Sequence, residues 1–184
     1  VIPRTLFTSE HETFRDSVRR FLEAEVKPHD EKWQEQGYAD KSVWKKAGEN
    51  GFLGMEIPEA LGGGGVDDFR FNQVLVEEFA YAGVGAAGLG ISLHNDICLP
   101  YFLEYCTPEQ RDRWLPGIAD GSLITAVAMT EPGIGSDLAS MTSSVVLRRR
   151  YSATSARFES PSEICSRCFP ANNCRYSFGF HTSE

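Results

Sequence analysis

The 184 residues contain no uninterrupted apolar run of the roughly 18 to 20 residues that a bilayer-crossing helix requires. They also lack a charged start leading into a short apolar segment with a small-residue cleavage site. A spanning protein and a secreted one are therefore not expected. The reading is a soluble intracellular protein, cytoplasmic, or of the mitochondrial matrix if the source is eukaryotic. The first residue is Val1 rather than Met, which is compatible with a processed, trimmed or non-standard start. Cysteine is scarce: five, an odd number, at positions 98, 106, 165, 168 and 174. That spacing makes no disulfide framework and fits a reducing compartment. Cys165 and Cys168, with Cys174 and His181, supply enough ligands for zinc, but the last two sit at no recognised interval, so no metal is expected. Net positive charge is missing too: the balance is −8 with a pI near 5.1, which argues against nucleic acid or an anionic membrane as the main partner.

Lysine is absent from residues 147–184, which carry six arginines and only three glutamates. This stretch is rich in Ser, Arg, Cys and Pro and has no sustained periodicity, so it is expected to be irregular or disordered. From about residue 145 it reads as an out-of-frame or otherwise altered end. What precedes it is acidic and mostly helical in pattern.

Ser9 and Glu12 have capping-box spacing. Phe14, Val18, Phe21, Leu22 and Val26 then recur at helical intervals until Pro28 closes or kinks the helix. A short polar stretch around Trp33 leads to a second helix over 42–50, with Val43, Trp44 and Ala47 inward and Gly51 as its stop. Four glycines, 62–65, suggest a phosphate cradle, but no Lys-Ser/Thr pair follows, and a flexible connector is the better reading. Asp67 or Asp68 can cap a third helix reaching Ala82. Gly83-Val84-Gly85-Ala86-Ala87-Gly88 satisfies the GxGxxG string of dinucleotide-binding folds, yet that mechanism needs a strand in front, and the preceding pattern is helical. A glycine-rich junction between helices is preferred. Leu89 to Tyr105 is largely apolar, with His94, Asn95 and Asp96 near its middle and Pro100 allowing at most a kinked helix. No cysteine, serine or acid lies at a diagnostic spacing from His94, so it reads as a hydrogen-bonded structural histidine. Thr107-Pro108-Glu109-Gln110 is a helix start with a hydroxyl cap, and the helix should end between Pro116 and Gly121.

At Ile124 the period becomes strand-like, and the apolar run stops at Thr130-Glu131-Pro132 before two glycines, a hydroxyl and a carboxylate. Such a loop leaves amide N–H groups open to an anion such as a pyrophosphate, with Ser136 as a further donor. The same residues also suit a strand-ending turn capped by Asp137.

Ala128-Met129-Thr130-Glu131-Pro132-Gly133-Ile134-Gly135-Ser136-Asp137 resembles the flavin-binding signature of the acyl-CoA dehydrogenase family, with Ile134 standing where the family has a small residue. Gly51 to Gly63 is also similar to a family segment. The resemblance covers residues 4 to about 142. It implies a mainly α fold: an N-terminal helical domain over 1–121, the start of a flavin-binding β domain over 122–146, and the irregular tail 147–184. It further implies flavin adenine dinucleotide (FAD) as cofactor, with Val127, Met129 and Thr130 along the isoalloxazine and Gly135 and Ser136 near the pyrophosphate. Ser136 also corresponds to a position that touches the acyl-CoA substrate, and the region 89–105 to the acyl-chain tunnel. The implied reaction is α,β-dehydrogenation to a trans-2-enoyl-CoA. No catalytic residue is assigned here, because the family's glutamate base lies in a C-terminal helical domain. An electron-transfer flavoprotein as acceptor and a homotetrameric parent are likewise implied. The alternatives are a related acyl-CoA oxidase or flavin monooxygenase, and a non-catalytic helical binding domain.

Overall fold

A computed structural model describes residues 5–128, 136 and 177–181. Helices α1 (Ser9–Phe21) and α2 (Lys27–Gln36) are joined by a π-helical turn, Leu22–Val26. Then come α3 (Lys41–Glu49), a 3-10 turn Glu59–Leu61, α4 (Arg70–Ala82) and α5 (Gly85–Ser92). A second π-helical turn, Leu93–Cys98, leads into α6 (Leu99–Tyr105), followed by α7 (Pro108–Asp120) and strand β1 (Ile124–Ala128). Strand β2 (Ser177–His181) lies antiparallel to β1, with Ile124 opposite His181 and Ala128 opposite Ser177. The fold is mainly helical, and β2 is a short extended segment inside the stretch expected to be irregular.

Both prolines read as helix breaks are accommodated instead. The residue before each proline donates five residues back: Lys27 N–H to the Leu22 carbonyl, and Leu99 N–H to the His94 carbonyl. That wider turn makes room for a ring that carries no N–H and would clash with an α-helical carbonyl. The polar stretch around Trp33 is accordingly part of α2, with Trp33 buried. The first helix is capped one residue earlier than its sequence suggests, by Thr8, whose N–H donates to His11 Nδ1 at 3.2 Å.

Two hydrophobic groups form the interior. The larger contains Val18, Phe21, Trp33, Trp44, Phe52 and Phe79, with further members from α1 to α5. The second contains Ile57, Cys98, Leu99, Phe102, Leu115 and Ile118. Helices α1 and α4 are also cross-linked by charge. Glu78 is buried and accepts from Arg15 Nη1 and Arg19 Nε, each at 2.7 Å. Burial pushes its carboxyl up, but the bonds from Arg19 and Arg15 outweigh that and hold it below its ordinary range.

The four glycines are not a flexible connector. Gly62 caps the 3-10 turn at positive φ, and a Cβ on Gly63 would lie 2.2 Å from the Ile57 carbonyl oxygen. The Gly65 and Val66 amides bond back to the carbonyls of Ile57 and Met55. Gly83 is the positive-φ cap of α4, Gly85 opens α5, and Gly88 lies against the ring of Phe79. The GxGxxG string is thus a helix junction, as preferred above.

Candidate functional site

The site is built where the helices hand the chain to β1. Leu93–Cys98 contributes three adjacent polar side chains to an otherwise apolar interior. His94 has no exposed surface. Its Nε2 lies 3.0 Å from the Ile118 carbonyl oxygen near the end of α7. Its Nδ1 lies 3.2 Å from the Thr125 amide nitrogen and 2.8 Å from Thr125 Oγ1 on β1. A carbonyl can only accept and an amide N–H can only donate, so two independent contacts select one neutral tautomer, with the proton on Nε2. Burial lowers the affinity of this imidazole for a second proton, and the Ile118 carbonyl only partly opposes that. Trp44 of α3 packs edge-on against the ring at 5.4 Å. The expected structural histidine is therefore hydrogen-bonded at both nitrogens.

Asn95 performs the matching task on the other side. Its Nδ2 donates to the Phe52 carbonyl at 2.8 Å, and its Oδ1 accepts from the Gly54 amide at 3.1 Å. The π-helical turn thereby pins the loop after α3 as well as β1. Asp96 is half-buried, and its Oδ1 has no hydrogen-bond partner. Burial first, and then the charge of Glu56, push its carboxyl up to about 6. The Glu56 carboxyl is itself raised, by burial and by Asp67.

Along β1, Thr125 is buried, Ala126 is exposed and Val127 is half-buried against the second hydrophobic group. Beyond the strand, Ser136 is exposed. Of the residues that the motif assigns to the cofactor, Val127 and Ser136 can be placed. Met129, Thr130 and Gly135 lie outside the described residues, as do Cys165, Cys168 and Cys174. Among the described residues no group of His, Cys, Asp and Glu is arranged to hold a metal ion, and no helix is long and apolar enough to cross a membrane. Sequence reading missed Thr125 as the partner of His94. The only signal was a polar trio inside an apolar segment, because the partners stand 31 residues apart.

Residues 8–122 match the family model described as "Acyl-CoA dehydrogenase, N-terminal domain". Over 135 residues, 73% of this chain and 31% of the relative, the chain is 47% identical to the long-chain specific acyl-CoA dehydrogenase, mitochondrial, of Mus musculus. The crystal structure of acyl-CoA dehydrogenase from Geobacillus kaustophilus superposes with a TM-score of 0.71 at 46% identity, covering 76% of this chain and 36% of that one. An acyl-CoA dehydrogenase from Bacillus anthracis, solved in complex with FAD, gives a TM-score of 0.64 at 31% identity, covering 74% of this chain and 23% of that one. The chain thus spans about a third of the length of the mouse relative it matches. The mouse protein is mitochondrial by name, and this corrects the expectation of a cytoplasmic protein.

Proposed function

Because this chain belongs to the acyl-CoA dehydrogenase family, we propose that it supplies the helical wall and the flavin loop of a FAD-dependent enzyme that removes hydrogen across the α,β bond of an acyl-CoA thioester. The observation that carries the reading is that β1, held on the helical block at Thr125, runs directly into the ten-residue flavin motif 128–137.

The described residues of the loop suit a flavin in kind. Val127 offers a half-buried apolar side chain packed against the second hydrophobic group, and Ser136 offers an exposed hydroxyl donor. In this reading Val127, Met129 and Thr130 lie along the isoalloxazine, while Gly135 and Ser136 approach the pyrophosphate. Ser136 also meets the acyl-CoA, and residues 89–105 line the path of the acyl chain. FAD, when bound, supplies the acceptor for the hydride leaving the β-carbon. The chain's own residues bind and orient. None of the 184 is assigned the glutamate base that takes the α-proton. Electrons pass to an electron-transfer flavoprotein or a similar acceptor, and the assembly is a homotetramer.

Titration of the purified chain with FAD, followed by flavin fluorescence, tests this. Saturable but weak binding is expected, with Kd on the order of 10 µM or poorer, and S136A should weaken it further. Anaerobic addition of a saturated acyl-CoA should leave the flavin colour unchanged, since this reading assigns the base to none of these residues. An absence of saturable FAD binding would sink the proposal.

A further inference from the structure

We infer that His94 is a positioning residue for the flavin strand: in its neutral Nε2–H form it occupies the free edge of β1 and clips the strand to the helical block two residues before Val127. The inference rests on the flavin reading above for its purpose, and on geometry for its existence.

The Thr125 amide N–H is bonded to His94 at 3.2 Å and so is not spent on β2, although Thr125 stands opposite Phe180 in the ladder. A strand-edge N–H facing a buried interior would otherwise be an orphan donor. His94 Nδ1 takes the place that a neighbouring strand's carbonyl would fill, and Nε2 ties the same ring to Ile118. One side chain therefore fixes the separation between the C-terminal end of α7 and the strand that leads into residues 128–137. Strand register matters here, because a slip of one residue would carry Val127 to the opposite face.

The clip depends on the ring's protonation. A second proton would go on Nδ1, pointing at the Thr125 N–H and removing the acceptor. Among the described residues, the elements packed around the ring supply no charge to favour that form: α3 gives Trp44, α7 a carbonyl, β1 Thr125. Cys98, on the same turn as His94, has its thiol pushed up by burial, an effect that a Thr125 hydrogen bond partly offsets. What sets the proton affinity of His94 is burial, which lowers it, and the Ile118 carbonyl, which partly opposes that.

The test uses the 184-residue chain labelled with 15N. Long-range proton–nitrogen correlation should show His94 as the neutral Nε2–H tautomer, still neutral where an ordinary histidine, near 6.5, is half charged. A proton on Nδ1, or titration at the ordinary value, would overturn the inference without any variant. Two substitutions then separate positioning from packing. H94N keeps an acceptor where Nδ1 stands but loses the Ile118 bond, whereas H94L keeps neither. The Thr125 amide should exchange at least about tenfold faster in H94L than in H94N, and FAD should bind H94L more weakly by a similar factor. Equal exchange at Thr125 in the two variants would refute the clip even if FAD binds normally. Should wild type show the tautomer and the protected amide yet take up no FAD, the flavin reading fails and the clip remains.

Discussion

Asp96 shows how a single side chain can oppose the fold that holds it. Its carboxyl is half-buried, has an orphaned oxygen and lies within the field of Glu56, so it titrates at about 6 rather than at 3.8. A folded-state value above the unfolded one means that the folded protein binds the proton more tightly. The associated stability is complete below 3.8 and is lost as pH rises through about 6. The loss at neutral pH is about 1 to 3 kcal/mol, the upper figure taking the full shift and the lower allowing for its contact with water. Replacing the carboxylate with a neutral amide of the same shape should remove that penalty. D96N is therefore expected to raise the urea midpoint at about pH 7 and to leave it nearly unchanged at about pH 4, where Asp96 is already protonated. A variant less stable than wild type at both pH values would show that the hydrogen bond between the carboxylate and Asn72, which holds the carboxyl down, outweighs the penalty of burial.

Helix packing here depends on what side chains leave out. At the contact of α3 with α7, Gly121 ends α7 at φ 76°, and a Cβ there would lie 2.3 Å from the Trp44 carbonyl oxygen. Gly48 makes the reciprocal approach, since a Cβ on it would lie 2.5 Å from the backbone of Asp120. Gly51 provides the control, since its φ is 73° but nothing lies within 4 Å of an added Cβ. G51A should cost about 1 kcal/mol, the price of a left-handed alanine. G121A should cost about 3 kcal/mol, because backbone must also move. Equal losses in thermal or urea unfolding would mean that the close approach relaxes freely.

The same elements show which features sequence carries. Helix α3 was legible because Val43, Trp44 and Ala47 recur at helical spacing, and α7 because Thr107, Pro108 and Gln110 form a local cap. The continuity of α1 with α2 was not legible. Pro28 reads as a stop, and only the Lys27–Leu22 bond shows how the chain passes it. Glycines 62–65 look flexible until the Ile57 backbone is seen against Gly63 and bonded to the Gly65 amide. Residues 128–137 stand out by their resemblance to a family signature, since their types alone also suit a strand-ending turn, but the His94–Thr125 clip needed the fold to bring two distant residues together.

At the scale of the whole molecule, the question is what β1 is fastened to. Among the described residues, the two hydrophobic groups draw on positions 14 to 127, entirely ahead of the arginine-rich stretch. Among the described residues, strand β2 is five residues long and pairs with β1 alone. A two-stranded ribbon is marginal by itself in water, so its pairing should add about 1 kcal/mol or less. The contacts that count for β1 are those to the helical block: Thr125 to His94, Val127 to the second hydrophobic group, and Ile124 to the first. Removing residues 147–184 should therefore leave the helical circular dichroism and the cooperativity of urea unfolding in place, with only a small fall in midpoint. The Thr125 amide should stay protected from exchange, because its partner is His94 and not β2. If truncation instead released that amide while the helices stayed folded, the strand would owe its place to β2, and the helical block could not by itself present the motif at 128–137.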